Sequence, residues 1–285
     1  MQTSTAKLDP AALPWAHLRL PPFPQVALRV LQLVQQEDVG LPQLCELIST
    51  DAAFASEVLT VANSALYAPR YPSNSILQAL TVLGARTLQG MCVTVGVRAY
   101  LGKAMAQPAM RRLWRHDLAC ALIAERMAEV AWEDKNTCYT AGILHDLGRV
   151  ALAVVRPRAY ASVLEEYHGP VEGILHAERA LFGMDHCETG WQLVEDWRLP
   201  EILASAVAEH HSAKPTSGAW HIGDLIKVSC KMADATGFAA FAGCEVARYE
   251  EVLAMLPADA SRLFSADADT LAAEIEASIK AIEQV

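Results

Sequence analysis

The sequence predicts an all-α protein. Alanine and leucine dominate it and β-branched residues come in short runs, which favours helix over strand. Apolar residues recur at helical spacing in one segment after another, with no strand–helix alternation and no tandem repeat. Apolar types make up 53% of the 285 residues, with 15 glycines and 14 prolines, a globular composition rather than a disordered or fibrous one. A chain of this length buries roughly three quarters of its unfolded surface, enough for one large domain or two modest ones.

The elements follow in order. Residues 1–22 are proline-rich and lead through LPPFP into an extended entry, because proline disfavours helix at the residue before it. VALRVLQLVQQ then repeats apolar residues from Val26 to Val34, and LPQLCELIST forms a second helix after Gly40. DAAFASEVLTVANSALY starts at a capping Asp51 and carries Phe54, Val58, Leu59, Val61 and Ala62 on a broad apolar face. The prolines of YAPRYPSNS break the pattern, and Ser75 with Gln78 fits a capping box for ILQALTVLG. A helix is expected over 85–102. After Pro108, LWRHDLACALIAERMAEVAW (113–132) is the longest helical pattern. Polar residues 133–137 lead into a helix that ends in GILHDLG. Shorter helices are expected around 157–167, 171–182, 187–197 and 200–210. HHSAKPTSG (210–218) reads as a loop, and helical signals resume over 220–236, 248–256 and 258–283. A soft boundary near 103–108 separates a front half whose only histidine is His17 from a rear half that carries the others.

The formal net charge is −10, a field that repels a phosphate backbone, so nucleic acid is not an expected partner. Seven cysteines (Cys45, Cys92, Cys120, Cys138, Cys187, Cys230 and Cys244) are dispersed without a CxxC pair. That suits reduced thiols packed as small hydrophobes in a reducing compartment. The N-terminus MQTSTAKLDPAALPW has one lysine and no apolar h-region. No stretch reaches ~18 uninterrupted apolar residues. Neither a signal peptide nor a membrane span is expected, and the expected location is cytoplasmic.

The chemistry concentrates in histidines. GILHDLGR at 142–149 sets His145 beside Asp146 at the end of an apolar run. That pair is either a helix end with the ring over the last carbonyls or half of a metal site. His116, His186 and the pair His210-His211 strengthen the second reading. His168, His176 and His221 read as satisfied core histidines. His116 lies near the start of its helix and His145 near the end of the next, so an antiparallel hairpin brings them toward each other. About 15 residues down and 9 up, at 1.5 Å each, leave a gap of roughly 10 Å.

Several motifs in this order resemble the HDOD domain. They are LPPFP at 20–24, DAAFASEVLTVANSALY at 51–67, ALTVLG at 79–84, LWRHDLA at 113–119, GILHDLGR at 142–149, FGMDHCETG at 182–190, WRLP at 197–200 and EHH at 209–211. The resemblance spans roughly residues 18–240, leaving 1–17 and 241–285 as an N-terminal extension and a C-terminal helical extension. HDOD domains are similar to the HD phosphohydrolase superfamily and serve as output modules in bacterial signalling. The resemblance implies an N-terminal helical subdomain (18–105) packed on an HD-like helical bundle (106–240).

It also implies ligands. HD enzymes hold metal through a first histidine, the His-Asp doublet and a later aspartate, and His116, His145 and Asp146 match the first three. Binuclear relatives add further histidines, which His186, His210 and His211 resemble; Asp185 is either a ligand or a turn residue beside His186. The cofactor implied is a divalent metal, Fe, Mn, Zn or Ni. The last aspartate is missing: LIKVSCKMA at 225–233 puts Cys230 in its place, with Asp234 one helical turn on and Asp224 more remote. Where many relatives carry a lysine after the doublet, Arg149 stands, suited to gripping phosphate or to pairing with a surface acid. Cyclic-dinucleotide phosphodiesterases of this fold carry HHExxDGxGYP; here HHSAKPTSG follows, which argues against that substrate.

Two functions are therefore expected. One is a regulatory module without turnover, sensing a metal, nucleotide or phosphate ligand and passing a signal through protein contacts. No receiver, kinase or nucleotide-cyclising pattern accompanies it, so the expected partner is a signalling protein in trans. The other is a metal-dependent phosphohydrolase. Beyond the site, Asn63-Ser64 reads as a tie between a helix and a loop. Trp191 and Trp197 read as core anchors. The C-terminal acidic pattern reads as a solvated amphipathic helix with a stripe free to dock a partner.

Overall fold

Capping residues and prolines set where the helices begin in this computed structural model, which describes residues 20–34, 36, 39–211 and 220–283. The N-terminal extension with His17 and residues 212–218 of the HHSAKPTSG segment lie outside the described residues. The first five helices are α1 (Gln25–Leu33), α2 (Leu41–Ser49), α3 (Ala52–Ala62), α4 (Ile76–Leu83) and α5 (Ala85–Leu101). Asp51 caps α3 by accepting from the N–H groups of Ala53 and Phe54, both at 3.0 Å. Ser75 caps α4 through the Gln78 N–H at 3.2 Å. Asn63 ties the end of α3 to the following loop, donating to the Ser73 carbonyl at 2.9 Å and accepting from its N–H at 2.7 Å.

Helix α5 is the shared wall of the molecule. Every residue from 88 to 97 is buried. On one side it meets α1, α3 and α4, and on the other the two helices that flank the His-Asp doublet. Gly96 permits the approach of α1: a Cβ there would stand 2.7 Å from that of Ala27. Phe23 packs against Tyr100 and Trp197, with ring centroids 5.4 and 5.0 Å away, which joins the entry segment to the rear half.

The rear half contains α6 (Pro108–Met127), α7 (Lys135–Leu144), α8 (Leu147–Val155), α9 (Pro157–Glu166), α10 (Val171–Phe182), α11 (His186–Asp196), α12 (Ile202–Glu209) and α13 (Ile222–Ala235). Pro108 opens α6, where its missing N–H costs nothing. The long pattern expected to reach residue 132 stops at Met127, followed by a 3-10 turn over 128–131. Trp132 then turns the chain in the left-handed region, φ 55°, almost fully exposed. Helix α8 was not among the expected elements: its run LGRVALAVV carries a single polar side chain, Arg149, and directly continues the segment that ends in GILHDLG. Within the stretch Lys135–Val155 an 18-residue window has a mean hydropathy of 1.2, long and apolar enough to cross a membrane by composition alone. The stretch is broken at the His-Asp doublet into α7 and α8, and 89% of that window is buried inside the protein.

The C-terminal region holds α14 (Tyr249–Leu253), α15 (Ala258–Ser261) and α16 (Ala268–Glu283). The single helix expected over 258–283 is split because Asp267 caps a new one, accepting from the Thr270 N–H at 3.0 Å. The apolar stripe of α16 is not open to a partner. Leu271, Ile275, Ile279 and Ile282 are buried in the common core as α16 packs on α6. Arg115 on α6 pairs with Glu276 and Glu283 across that contact. The only strands among the described residues are two-residue pieces, β1 (His168–Gly169) and β2 (Gly243–Cys244), paired in parallel.

Candidate metal centre

The hairpin closes better than the sequence implies, because α6 ends earlier, at Met127, and starts at Pro108, so that His116 lies inside it and not near its start. The leg from His116 to Met127 and the leg from Lys135 to His145, the cap of α7, are nearly equal in length. The His116 and His145 rings lie 5.3 Å apart. Gly142 lets the legs touch: a Cβ there would stand 2.4 Å from the Cα of Ala121. Gly148 does the same for α8 and α11, since its Cβ would fall 1.8 Å from the carbonyl oxygen of His186. The two glycines of GILHDLGR thus bring α6 and α11 against the doublet from opposite sides.

Four of the five candidate histidines are oriented from behind; His211 instead turns Nε2 toward Arg149 Nη2 at 3.4 Å. The Nδ1 of His145 contacts the Gly142 carbonyl at 2.7 Å and that of His116 the Phe238 carbonyl at 2.8 Å. The Nδ1 of His210 faces the Ala206 and Val207 carbonyls, both at 3.1 Å. That of His186 meets the Glu178 carboxylate at 2.6 Å, which also accepts the His186 backbone N–H and the Tyr160 hydroxyl. Carbonyls and carboxylates accept only, so in the neutral ring Nδ1 carries the proton and Nε2 presents a lone pair. The Nε2 atoms of His116, His145, His186 and His210 stand 4.0, 3.7, 3.5 and 3.3 Å from the Asp146 carboxylate. Those of His145, His186 and His210 are buried and have no hydrogen-bond partner among the described residues. Orphaned lone pairs facing one carboxylate are what a set of metal ligands looks like from the protein side.

The electrostatics divide the set. Burial works against protonation of His116, His145 and His186, but Cys230 and Asp234 beside His116, Asp146 beside His145, and Cys187 with Glu178 beside His186 outweigh it, raising all three and His186 to about 10, so an ion must displace a proton from these rings. Burial works against ionisation of Asp146, but Arg149, His145, His210 and His186 outweigh it and hold the carboxyl well below the usual carboxylate range. Arg149 is not paired with a surface acid: it is buried and donates from Nε to Asp146 at 3.0 Å. Burial pushes His210 down to about 4, and burial with His210 beside it holds His211 well below the ordinary imidazole value. Both are neutral near pH 7 and able to ligate.

Three groups of ligand atoms emerge among the described residues, each mutually within 4.8 Å: Asp146, His186, His210 and His211; His116, Cys120, His145 and Cys230; and Asp117, His145 and Asp146. All six candidate ligands read from the sequence meet here. Asp234 stands behind His116, 3.4 Å from Nδ1 rather than Nε2. Asp224 bonds to the His221 N–H at the start of α13. Asp185 is a cap, accepting from the Glu188 N–H at 2.8 Å. His168, His176 and His221 are exposed, not core, histidines. Trp191 is 46% exposed on the outer face of α11, whereas Trp197 is an anchor. Sequence reasoning missed Glu178, which has no motif, and Cys120, which lies one helical turn from His116. It also missed Asp117, buried beside the doublet with both oxygens unpartnered. Burial and the Asp146 charge raise Asp117 well above the carboxylate range.

A cavity of about 440 Å³ opens over the histidines, lined by His116, Arg149, His210, His211, Lys227, Lys231 and Phe241 among others.

The family model of the HDOD domain matches residues 20–213. The chain belongs to the HDOD family. Its fold is similar to that of an HDOD domain protein with unknown function from Geobacter sulfurreducens, at 27% identity and a TM-score of 0.69 over 93% of this chain and 91% of that one. It also resembles a provisionally named signal transduction protein from Marinobacter aquaeolei VT8, at 20% identity and TM-score 0.72, covering 97% of this chain and 62% of that one. A third similar fold, provisionally named a metal-dependent phosphohydrolase from Shewanella amazonensis SB2B, matches at 21% identity and TM-score 0.63, covering 92% of this chain and 93% of that one. The last two likenesses are of fold alone. An uncharacterized protein from Treponema pallidum (strain Nichols) is 25% identical over 217 residues, 74% of this chain, which spans 41% of that relative's length.

Proposed function

We propose that this HDOD protein is a signalling module whose HD-like pocket binds divalent metal and, above it, a phosphate-bearing ligand. The observation that carries this is the set of buried, partnerless Nε2 atoms around Asp146. His116, His145 and Asp146 would hold one ion and His186, His210 and His211 a second, with Fe, Mn, Zn or Ni suited to these donors. When bound, such ions polarise a phosphoryl oxygen and acidify a coordinated water. The chain's own residues prepare the rest. Asp146 stays anionic, Glu178 fixes the His186 ring, and Arg149 keeps Nη1 buried without a partner in the cavity wall. A guanidinium so placed grips phosphate oxygens. Lys227 and Lys231 add positive charge to the same wall.

Output then passes to a signalling protein in trans, in the cytoplasm; the net charge of −10 supports a partner other than nucleic acid or an anionic membrane.

A second reading, phosphohydrolase turnover, is favoured by the retention of six candidate ligands and opposed by Cys230 at the position of the last aspartate. The test is metal analysis of protein purified without chelator, joined to binding and hydrolysis assays on phosphomonoesters, nucleotides and cyclic dinucleotides with Mn or Fe. Metal and ligand binding without turnover supports the sensing module. Turnover abolished by His145→Ala supports the hydrolase. Protein that binds neither metal nor phosphate ligand sinks both.

A further inference from the structure

We infer that half of this centre is a thiolate site: Cys120 and Cys230 complete a two-nitrogen, two-sulfur set with His116 and His145 that takes a zinc-class cation. The inference rests on the reading that the pocket binds metal, and it reassigns the first ion from a carboxylate-containing set to a sulfur-containing one.

His116 and Cys120 are four residues apart on α6, so they share a face one above the other. Cys230 comes from α13, which packs along α6. The four donor atoms lie within 4.8 Å of one another, and Cys230 Sγ stands 3.5 Å from His116 Nε2. Metal–ligand bonds of ~2.0–2.3 Å in a tetrahedron put neighbouring ligand atoms about 3.3–3.8 Å apart. Small side-chain adjustments are therefore enough to close the shell. Burial also separates these cysteines from the others. Cys92 and Cys138 belong to the contiguous apolar core, whereas Cys120 and Cys230, equally buried, do not. Their sulfurs face the polar centre.

The chemistry follows from the donors. Tetrahedral sulfur–nitrogen sets select zinc, while imidazole and carboxylate also suit iron and manganese. Each thiol gives its proton to solvent as the ion binds, and two thiolates balance a dication. Cys230 in place of aspartate is then an exchange of a hard anionic ligand for a soft one. Four protein ligands leave no open position, so this ion clamps α6 to α13. Asp146, His186, His210 and His211 form the other lobe, without sulfur.

Cobalt(II) titration of the metal-free full-length chain tests this, because thiolate-bound cobalt absorbs strongly in the near ultraviolet. The expected result is intense sulfur-to-cobalt charge transfer, lost in Cys120→Ser and in Cys230→Ser and kept in His186→Ala. Melting temperature should rise with zinc in the wild type and much less in the two cysteine variants. Wild-type protein that binds cobalt with only weak octahedral bands would overturn the thiolate site while leaving a metal-binding pocket. Wild-type protein that binds no cobalt would overturn both. The wild-type spectrum decides even where a variant fails to fold.

Discussion

The front helices, α1–α5, and the rear helices, α6–α13, bury different things. The buried polar side chains of the front are neutral: Ser64, Ser73, Gln89 and Thr94. The rear buries His116, Asp117, His145, Asp146, Arg149, Glu178, Asp185, His186 and His210. A buried ionisable group costs several kcal/mol unless it is paired, and an apolar core of the same volume is often more stable. The front is built as a stable chain would be. The rear is not, and its groups point at one another, which marks it as the half kept for chemistry.

The comparison can be broken most directly at its centre. Asp146→Ala strips Arg149 of its buried partner and should cost about 3–5 kcal/mol in denaturant unfolding, with metal lost as well. A change within ~1 kcal/mol would mean the charges are solvated after all. Next comes Gly148→Ala, whose Cβ would collide with backbone of α11 and not with a yielding side chain. Overpacking of this kind should cost about 3 kcal/mol or more. Gly223→Ala is the control, since its Cβ meets only Ser205 at 3.6 Å; equal losses in the two would refute the close-approach argument. In the front half, Asn63→Ala leaves both backbone groups of Ser73 without this partner and should cost about 1–3 kcal/mol with metal content unchanged. Smallest is Arg115→Ala, a partly exposed pairing with α16 that should cost at most about 1 kcal/mol, less in high salt.

Much of this was readable in advance, for physical reasons. The caps at Asp51 and Ser75 are local chemistry, and so are the helix starts after them. The six candidate ligands converge because the doublet at the end of α7, His116 inside α6 and the histidines at the start of α11 and the end of α12 meet once those helices pack. What escaped depends on three dimensions. The end of α6 at Met127 follows from a 3-10 turn within an apparently continuous apolar pattern, and that shift of a few residues made the hairpin look open. Glu178 sits in an ordinary amphipathic stretch and becomes special only because His186 lies across from it. Cys120 reads as one more small hydrophobe until its neighbours on α13 are known. Surface exposure of His176 is equally a matter of which face of α10 turns outward, while His168 lies in β1 and His221 just before α13.

Helix α5 has a consequence for anyone who would recombine such proteins. Gly90 and Thr94 face Tyr139 of α7: a Cβ on Gly90 would stand 3.1 Å from that ring, and the two hydroxyls are 2.9 Å apart. A chimera spliced at residues 103–108 would therefore inherit a mismatched seam even though the junction itself is benign. The compatible unit of exchange is α5 together with the α7 face it was shaped against.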